Sequence, residues 1–144
     1  MPEQSYANHT KFVPPYHFAL GGLIILTFIG SLVNLYSSIG DHERIYSASL
    51  ITAMCFALIG IFFFARAFAL RAQDRVIRAE ENMRHYLMTG KPLDSRLTVQ
   101  QVIGLRFASD GEFVALASRA AEKGMSSAEI KKSVKSWRTD NDRL

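Results

Sequence analysis

Two uncharged stretches constrain this chain more than any other feature. Between Lys11 and Asp41 lie 29 consecutive residues without a formal charge, and Ile45 to Ala65 forms a second run of 21, of which 17 are apolar. Within the first run, 14 of the 21 residues from Tyr16 to Tyr36 are apolar. A helix needs about 20 apolar residues to cross a hydrocarbon core about 30 Å thick, so both runs qualify as spans. Core helices of a small soluble domain would show a polar face at helical spacing, and neither run has one. A cleaved signal is a poorer reading of the first run. Its apolar region exceeds the roughly 7–15 residues of a signal core, its leader is barely basic, and no convincing small-x-small cleavage site follows.

The expected fold is an all-α membrane protein built on an antiparallel two-helix transmembrane hairpin. Segment 1–15 leads into a first span over 16–36, a polar Gly-containing external loop occupies 37–46, and the second span covers 47–70. Arg71, Arg75, Arg78 and Arg84 follow the second span, whereas the loop carries only Arg44, beside Asp41 and Glu43. The positive-inside rule then puts the C-terminal half in the cytoplasm, and an even number of spans returns the N-terminus to the same side. Tyr16, Tyr36 and Tyr46, with Phe12, fall where amphipathic rings favour the headgroup layer. Arg66 and Arg71 can snorkel to the cytoplasmic headgroups.

Helix packing in lipid favours small residues, because they let two backbones approach. Ser49, Ala53, Ala57 and Gly60 share one face of the second helix, and Gly22, Gly30 and Asn34 lie close to one face of the first. These positions are expected to join the two helices, or to offer a surface to a larger membrane partner.

The formal charge of +4 is unevenly placed. Residues 1–70 hold three basic and three acidic groups, so the whole excess lies in 71–144. The run Arg71–Met88 contains no Gly or Pro, and it sets Asp74 before Arg78 and Glu80 before Arg84 at i,i+4, the favoured order for ion pairs. Val76, Met83 and Leu87 give it a narrow apolar stripe. One helix is therefore predicted from about Ser47 to Met88, its part over 71–88 extending into the cytoplasm. The breakers Thr89-Gly90-Lys91-Pro92 end it and open a linker over 89–97.

The remaining residues, 98–144, read as a small cytoplasmic domain of three helices. Thr98 with Gln101, Ser109 with Glu112, and Ser126 with Glu129 each repeat the capping-box pattern. They predict helices near 99–107, 110–123 and 127–138, with Gly124 stopping the second in a left-handed turn. The apolar stripes are Val99, Val102, Ile103 and Phe107; Phe113, Leu116, Ala117 and Ala120; and Ile130, Val134 and Trp137. So short a stretch makes a thin core, which is expected to lean on the extended helix or on a partner.

Chemical motifs are sparse. Cys55 is the only cysteine, which excludes an internal disulfide and fits a small residue in an apolar helix. His9, His17, His42 and His85 are scattered, with no convergent set for a metal or haem. No phosphate-cradling loop, paired-cysteine site, zincin motif or nucleophile elbow occurs. Asp74, Glu80 and Glu81 lie among arginines, where ion pairing accounts for them. The expectation is a protein with no catalytic residues, cofactor or metal, and not an enzyme. A small membrane redox subunit or enzyme is an alternative that would require an absorbing cofactor.

A membrane-tethered DNA-binding regulator is the other alternative. Ala120, Gly124 and Ile130 have the spacing of a helix–turn–helix over 110–138, followed by Lys131, Lys132, Lys135 and Arg138. Arg119, Lys123 and Ser133 occupy positions where that motif needs apolar residues. A basic face of this kind fits solvent or anionic lipid, so nucleic acid is not the expected partner.

Several blocks carry a family resemblance: Tyr6-Ala7-Asn8-His9, Phe12-Val13-Pro14 and Tyr16-His17-Phe18; Ala65-Arg66, Phe68-Ala69-Leu70 and Gln73-Asp74-Arg75; Leu105-Arg106-Phe107-Ala108-Ser109-Asp110; and Glu129-Ile130-Lys131-Lys132 with Trp137. Together the sequence resembles a bacterial family of small two-span inner-membrane proteins classed as a domain of unknown function. The resemblance implies a multi-pass protein of the bacterial inner membrane and no assigned activity. It also draws attention to the polar residues in these blocks, where Arg106 or Asp110 is expected to dock the small domain against Asp74 or Arg75. The function expected is that of an accessory, scaffold or assembly subunit of a larger membrane complex. Its partners would be the lipid bilayer and other membrane protein subunits, or further copies of itself in a homo-oligomer.

Overall fold

The computed structural model describes residue 6 and residues 13–139, and among these it contains helices and no strand. Five helices succeed one another: α1 at Gly21–Ser37, continuing a π-helical turn over Pro15–Leu20; α2 at His42–Thr89; α3 at Val99–Leu105; α4 at Asp110–Lys123; and α5 at Ser127–Ser133. The described residues fall into two compact units, 13–69 and 70–139, with Tyr6 in the second. Phe12 and His9, noted in the sequence, lie outside the described residues.

In the first unit, Pro14 and Pro15 start the helical run where a missing amide hydrogen costs nothing. The stretch Pro15–Ser37 then proceeds for 23 residues. Asp41 shortens the connection that the sequence placed at 37–46. Its Oδ1 accepts hydrogen bonds from the Glu43 and Arg44 amides, both at 3.2 Å, so α2 starts at His42 rather than Ser47.

Contacts between these helices pair rising positions of one with falling positions of the other. Tyr16 stacks on Phe62 with ring centroids 4.4 Å apart, and its hydroxyl donates to the Phe62 carbonyl. Phe28 meets Phe56 edge to face at 4.8 Å, and the Thr52 hydroxyl lies 3.3 Å from the Ser31 carbonyl. The buried positions are Gly21, Ser31 and Ser38 with Ala48, Thr52 and Cys55.

The packing face expected from small residues is therefore displaced by one position. Ser49, Ala53, Ala57, Gly30 and Asn34 are exposed, while Gly22 and Gly60 are half-buried. A Cβ added at Gly22, Gly30 or Gly60 would meet nothing within 4 Å. Adjacent stripes on α2 both contain small residues, so size alone does not choose between them. The interlocking of Tyr16, Phe28, Phe56 and Phe62 does, by turning Ala48, Thr52 and Cys55 inward instead.

In the second unit, α3, α4 and α5 enclose a core of Val102, Leu105, Phe113, Leu116, Ala117, Ala120, Ile130 and Val134. The apolar positions expected on α4 are the ones it buries, and Gly124 stops that helix at φ +59°. Gly90, at φ +73°, ends α2 with its amide on the Tyr86 carbonyl. Gly104 has a packing role: an added Cβ would come within 3.1 Å of both the Ser127 carbonyl and hydroxyl oxygens and 3.3 Å of the Ile130 side chain. Only hydrogen at this position lets α3 lie so close to α5.

Two of the three expected capping boxes form. Thr98 with Gln101 and Ser126 with Glu129 each satisfy the other's backbone amide. The third is diverted. Ser109 makes no side-chain cap: its hydroxyl donates to the Glu112 carboxylate at 3.4 Å, and that carboxylate also accepts from the Lys135 and Ser136 amides at 3.1 and 3.0 Å. Those bonds hold the chain extended after Ser133, so the helix expected over 127–138 stops short. Trp137 instead bridges Ala108, with the Arg138 amide on the Phe107 carbonyl and the Ser109 amide on the Ser136 carbonyl.

Candidate functional site

The most densely charged place in the second unit forms where the end of α2 meets α4. Burial of Ile77 and Glu81 identifies the face of α2 that turns toward the small helices. Arg84, one turn beyond Glu81, is held on four sides. Its Nη1 donates to Glu81 at 3.0 Å, its Nε and Nη2 reach Asp110 Oδ1 at 2.8 and 2.5 Å, and Nη2 also donates to the Ala108 carbonyl at 2.8 Å. The guanidinium carbon lies 4.2 Å from the centre of the Phe113 ring. An arginine fits here because its planar fork serves several acceptors at once while its face stacks on an aromatic ring.

The electrostatics follow from burial. Loss of water pushes the Glu81 carboxyl above the usual glutamate range, and the hydrogen bond and charge of Arg84, with the charges of Arg138 and Arg106, draw it back only in part. Asp110 is held below its ordinary value by the hydrogen bond and charge of Arg84. Burial raises Glu112 too, but the Ser136 and Lys135 amides outweigh it and leave the group below its usual range.

Beside this node runs an open groove of about 1250 Å³. Met83, Leu87 and Met88 line its apolar side, and Arg84, Arg106, Arg138, Glu80, Glu81 and Asp110 line its charged side. Arg84 is fully committed to the fold, whereas the Arg138 side chain is 56% exposed and lies 3.9 Å from Glu81. The His85 and Thr89 side chains approach to 3.2 Å, but His85 Nδ1 is 2.7 Å from the Lys91 carbonyl, which requires a proton on that nitrogen. Such a nitrogen cannot take a proton from Thr89, and the cluster closes the end of α2. Among the described residues no group of three His, Cys, Asp or Glu is placed to hold a metal ion.

The residues expected to dock the small domain are only partly brought together. Asp110 meets α2, but through Arg84, and Arg106 lends its charge to Glu81. Among the described residues, Asp74 and Arg75 make no ion pair or hydrogen bond across to the small helices. They lie more than two turns from Arg84, beyond the reach of α4. Among the described residues the pair Asp74–Arg78 does not form, and neither does Glu80–Arg84, because Glu81 and Asp110 claim Arg84. The sequence offered one signal for this: Glu81 is the acid three residues before Arg84 and four after the buried Ile77, hence on the inward face.

The basic run that suggested nucleic-acid binding is broken up. Since α5 ends at Ser133, Lys135 and Arg138 lie on extended chain, and Lys131 Nζ sits 5.5 Å over the Phe107 ring. Among the described residues, Lys131 and Lys132 therefore lie on α5 while Lys135 and Arg138 lie beyond it. Of the expected interface residues, Tyr16 and Arg66 share one end of the first unit, with the guanidinium 5.8 Å over the ring. Tyr36 and Tyr46 flank the 38–41 connection and are exposed, and Arg71 is exposed on α2.

No curated protein and no solved structure matches the chain. The family of unknown function DUF6526 matches residues 1–144. A match over the whole length means that the chain belongs to this family.

Proposed function

We propose that this protein is an integral membrane scaffold, an accessory or assembly subunit that holds a small helical module at the cytoplasmic face of a bacterial inner membrane. In this reading Pro15–Ser37 and the first half of α2 form an antiparallel transmembrane hairpin. Arg71, Arg75, Arg78 and Arg84 keep the C-terminal half, and with it the N-terminus, in the cytoplasm.

One observation carries the reading: the apolar side chains of the two long helices face outward. Only 11% and 17% of their most apolar windows are buried, at mean hydropathies of 2.1 and 2.3. A core helix of a soluble protein would be mostly covered, and a patch of this size in water costs about 25 cal/mol per Å² of apolar surface. The polar side chains support it too. Thr27, Ser31, Ser38, Ser47, Ser49 and Thr52 each donate to a backbone carbonyl of the preceding turn, as hydroxyls in lipid must. The groove beside Arg84 is the surface offered to the larger complex.

Alkaline extraction of membranes tests the anchoring, and single cysteines placed at Ile39 and Ser95 in a Cys55→Ala background test the orientation. A membrane-impermeant maleimide should label Ile39→Cys in spheroplasts and Ser95→Cys only after lysis. Release of the protein by alkali would overturn the membrane reading, and purification as a lone monomer in mild detergent would overturn the scaffold role.

A further inference from the structure

The small helices cover one face of the end of α2, through Ile77, Glu81, Arg84 and His85. At 3.6 residues per turn the opposite face carries Ala72, Val76, Ala79, Met83 and Tyr86, all exposed, with Leu87 beside them. Their spacing alternates four and three, which is the a/d repeat of a coiled coil. Val76 and Met83 take the a positions, and Ala72, Ala79 and Tyr86 take the d positions. A helix with only this stripe on its outward side has a seam and nothing in the described chain to close it.

The charges beside the seam say what fits. In this register Arg75 is at g and Glu80 is at the following e, five residues on. In a parallel two-stranded coiled coil a g residue faces the e residue of the next heptad on the partner chain. Two copies therefore set Arg75 of each against Glu80 of the other, twice by symmetry. Both side chains are exposed, and neither forms an ion pair with another described residue of its own chain. An antiparallel pair would face g with g and e with e, which leaves these charges unmatched.

We infer that the end of α2 is a dimerisation seam, with a second copy of this chain packed in parallel along Ala72, Val76, Ala79, Met83 and Tyr86. The seam covers two heptads, too short to hold in dilute solution. Anchoring both copies in one bilayer aligns them and raises their effective concentration. That alignment rests on the membrane reading above; the charge pattern does not. Ala79 and Met83 also line the edge of the groove beside Arg84, so the second copy borders that groove, while the Arg84 node stays intact and two tail modules are presented side by side.

The test is oxidative cross-linking in native membranes, using single cysteines in a Cys55→Ala background. Ala79→Cys at d should form a disulfide-linked homodimer, whereas Arg78→Cys, at the outer c position, should not. Arg75→Glu should lower the Ala79→Cys yield several-fold, and adding Glu80→Arg should restore it. Equal yields at positions 78 and 79, or a cross-link only to a different polypeptide, would overturn the dimer. So would a yield indifferent to both charge changes. Alkaline extraction of the same membranes reads the anchoring separately, so loss of the cross-link with the protein still in the membrane counts against the seam alone.

Discussion

Arg84 joins the end of α2 to the start of α4 by placing its Nη2 2.5 Å from Asp110, while its Nη1 stays 3.0 Å from the buried Glu81. One guanidinium thus compensates a carboxylate taken out of water and anchors a helix whose first turn favours negative charge.

Removing Arg84 should therefore be costly. Arg84→Met leaves Glu81 buried without its main partner, and loss of about 3–5 kcal/mol of stability is expected in the second unit. Adding Glu81→Leu should recover most of it, since an apolar pair can replace a buried ionic one. Trp137, the only tryptophan, packs 4.9 Å from Phe107 and reports the unfolding of this unit by fluorescence during urea titration.

Charge reversal separates the observed docking contact from the one expected further up α2. Asp110→Lys should speed proteolytic cleavage between residues 89 and 109, because it breaks the bond to Arg84. Asp74→Lys should leave the digestion pattern unchanged. The reverse result would move the docking point to Asp74.

The two buried-side glutamates should give pH profiles of opposite sign. Glu81 is raised in the fold, so its contribution is fully present below the ordinary glutamate pKa and is lost as pH climbs through the raised value. Glu112 is lowered, so its contribution is present above the ordinary value and is lost as pH falls through the lowered one. Relative to the parent, Glu81→Gln should gain stability from pH 4 upward and Glu112→Gln should lose it. Melting midpoints followed by Trp137 fluorescence from pH 3 to pH 7 check both slopes.

Gly104→Ala should destabilise although alanine is the better helix former. The propensity gain is about 1 kcal/mol, against about 1–3 kcal/mol for forcing a methyl into a packed interface. Ser127 and Ile130 must give way, and α5 has no slack because Glu129 caps its start. A lowered melting midpoint is the expected outcome, and an unchanged one would mean that α5 shifts freely.

The caps should differ in weight despite their identical sequence pattern. Ser126→Ala and Thr98→Ala remove real side-chain caps and should each cost about 1 kcal/mol. Ser109→Ala should cost clearly less, since the Ser109 hydroxyl caps no backbone amide and loses only a long 3.4 Å bond to Glu112, which the Lys135 and Ser136 amides still hold. Urea midpoints of the three variants, compared side by side, decide it.

Much of the chain is legible because its signals are local. The long uncharged runs, the capping pairs at Thr98 and Ser126 and the stop at Gly124 each depend on residues within one or two turns. The packing stripe of the long helices is not legible, since small residues occupy two adjacent stripes and only the aromatic interlock separates them. The candidate site was half legible: Asp110 was singled out, but its partner was not, because Arg84 had an equally good local acid in Glu80.

By itself the sequence determined the helices, their caps and the uneven placing of apolar and charged surface, because hydrogen bonding and hydropathy act over short chain distances. Only the tertiary structure decided which face of each helix is inward, that Glu81 and Asp110 share Arg84, and that Glu112 ends α5 early by holding the Lys135 and Ser136 amides. Apart from the local Glu81–Arg84 contact, those choices are made between groups more than 20 residues apart, where several partners are chemically equivalent and packing selects one. The two uncharged runs are the plainest case: composition makes them apolar throughout, and the fold leaves most of that surface facing outward.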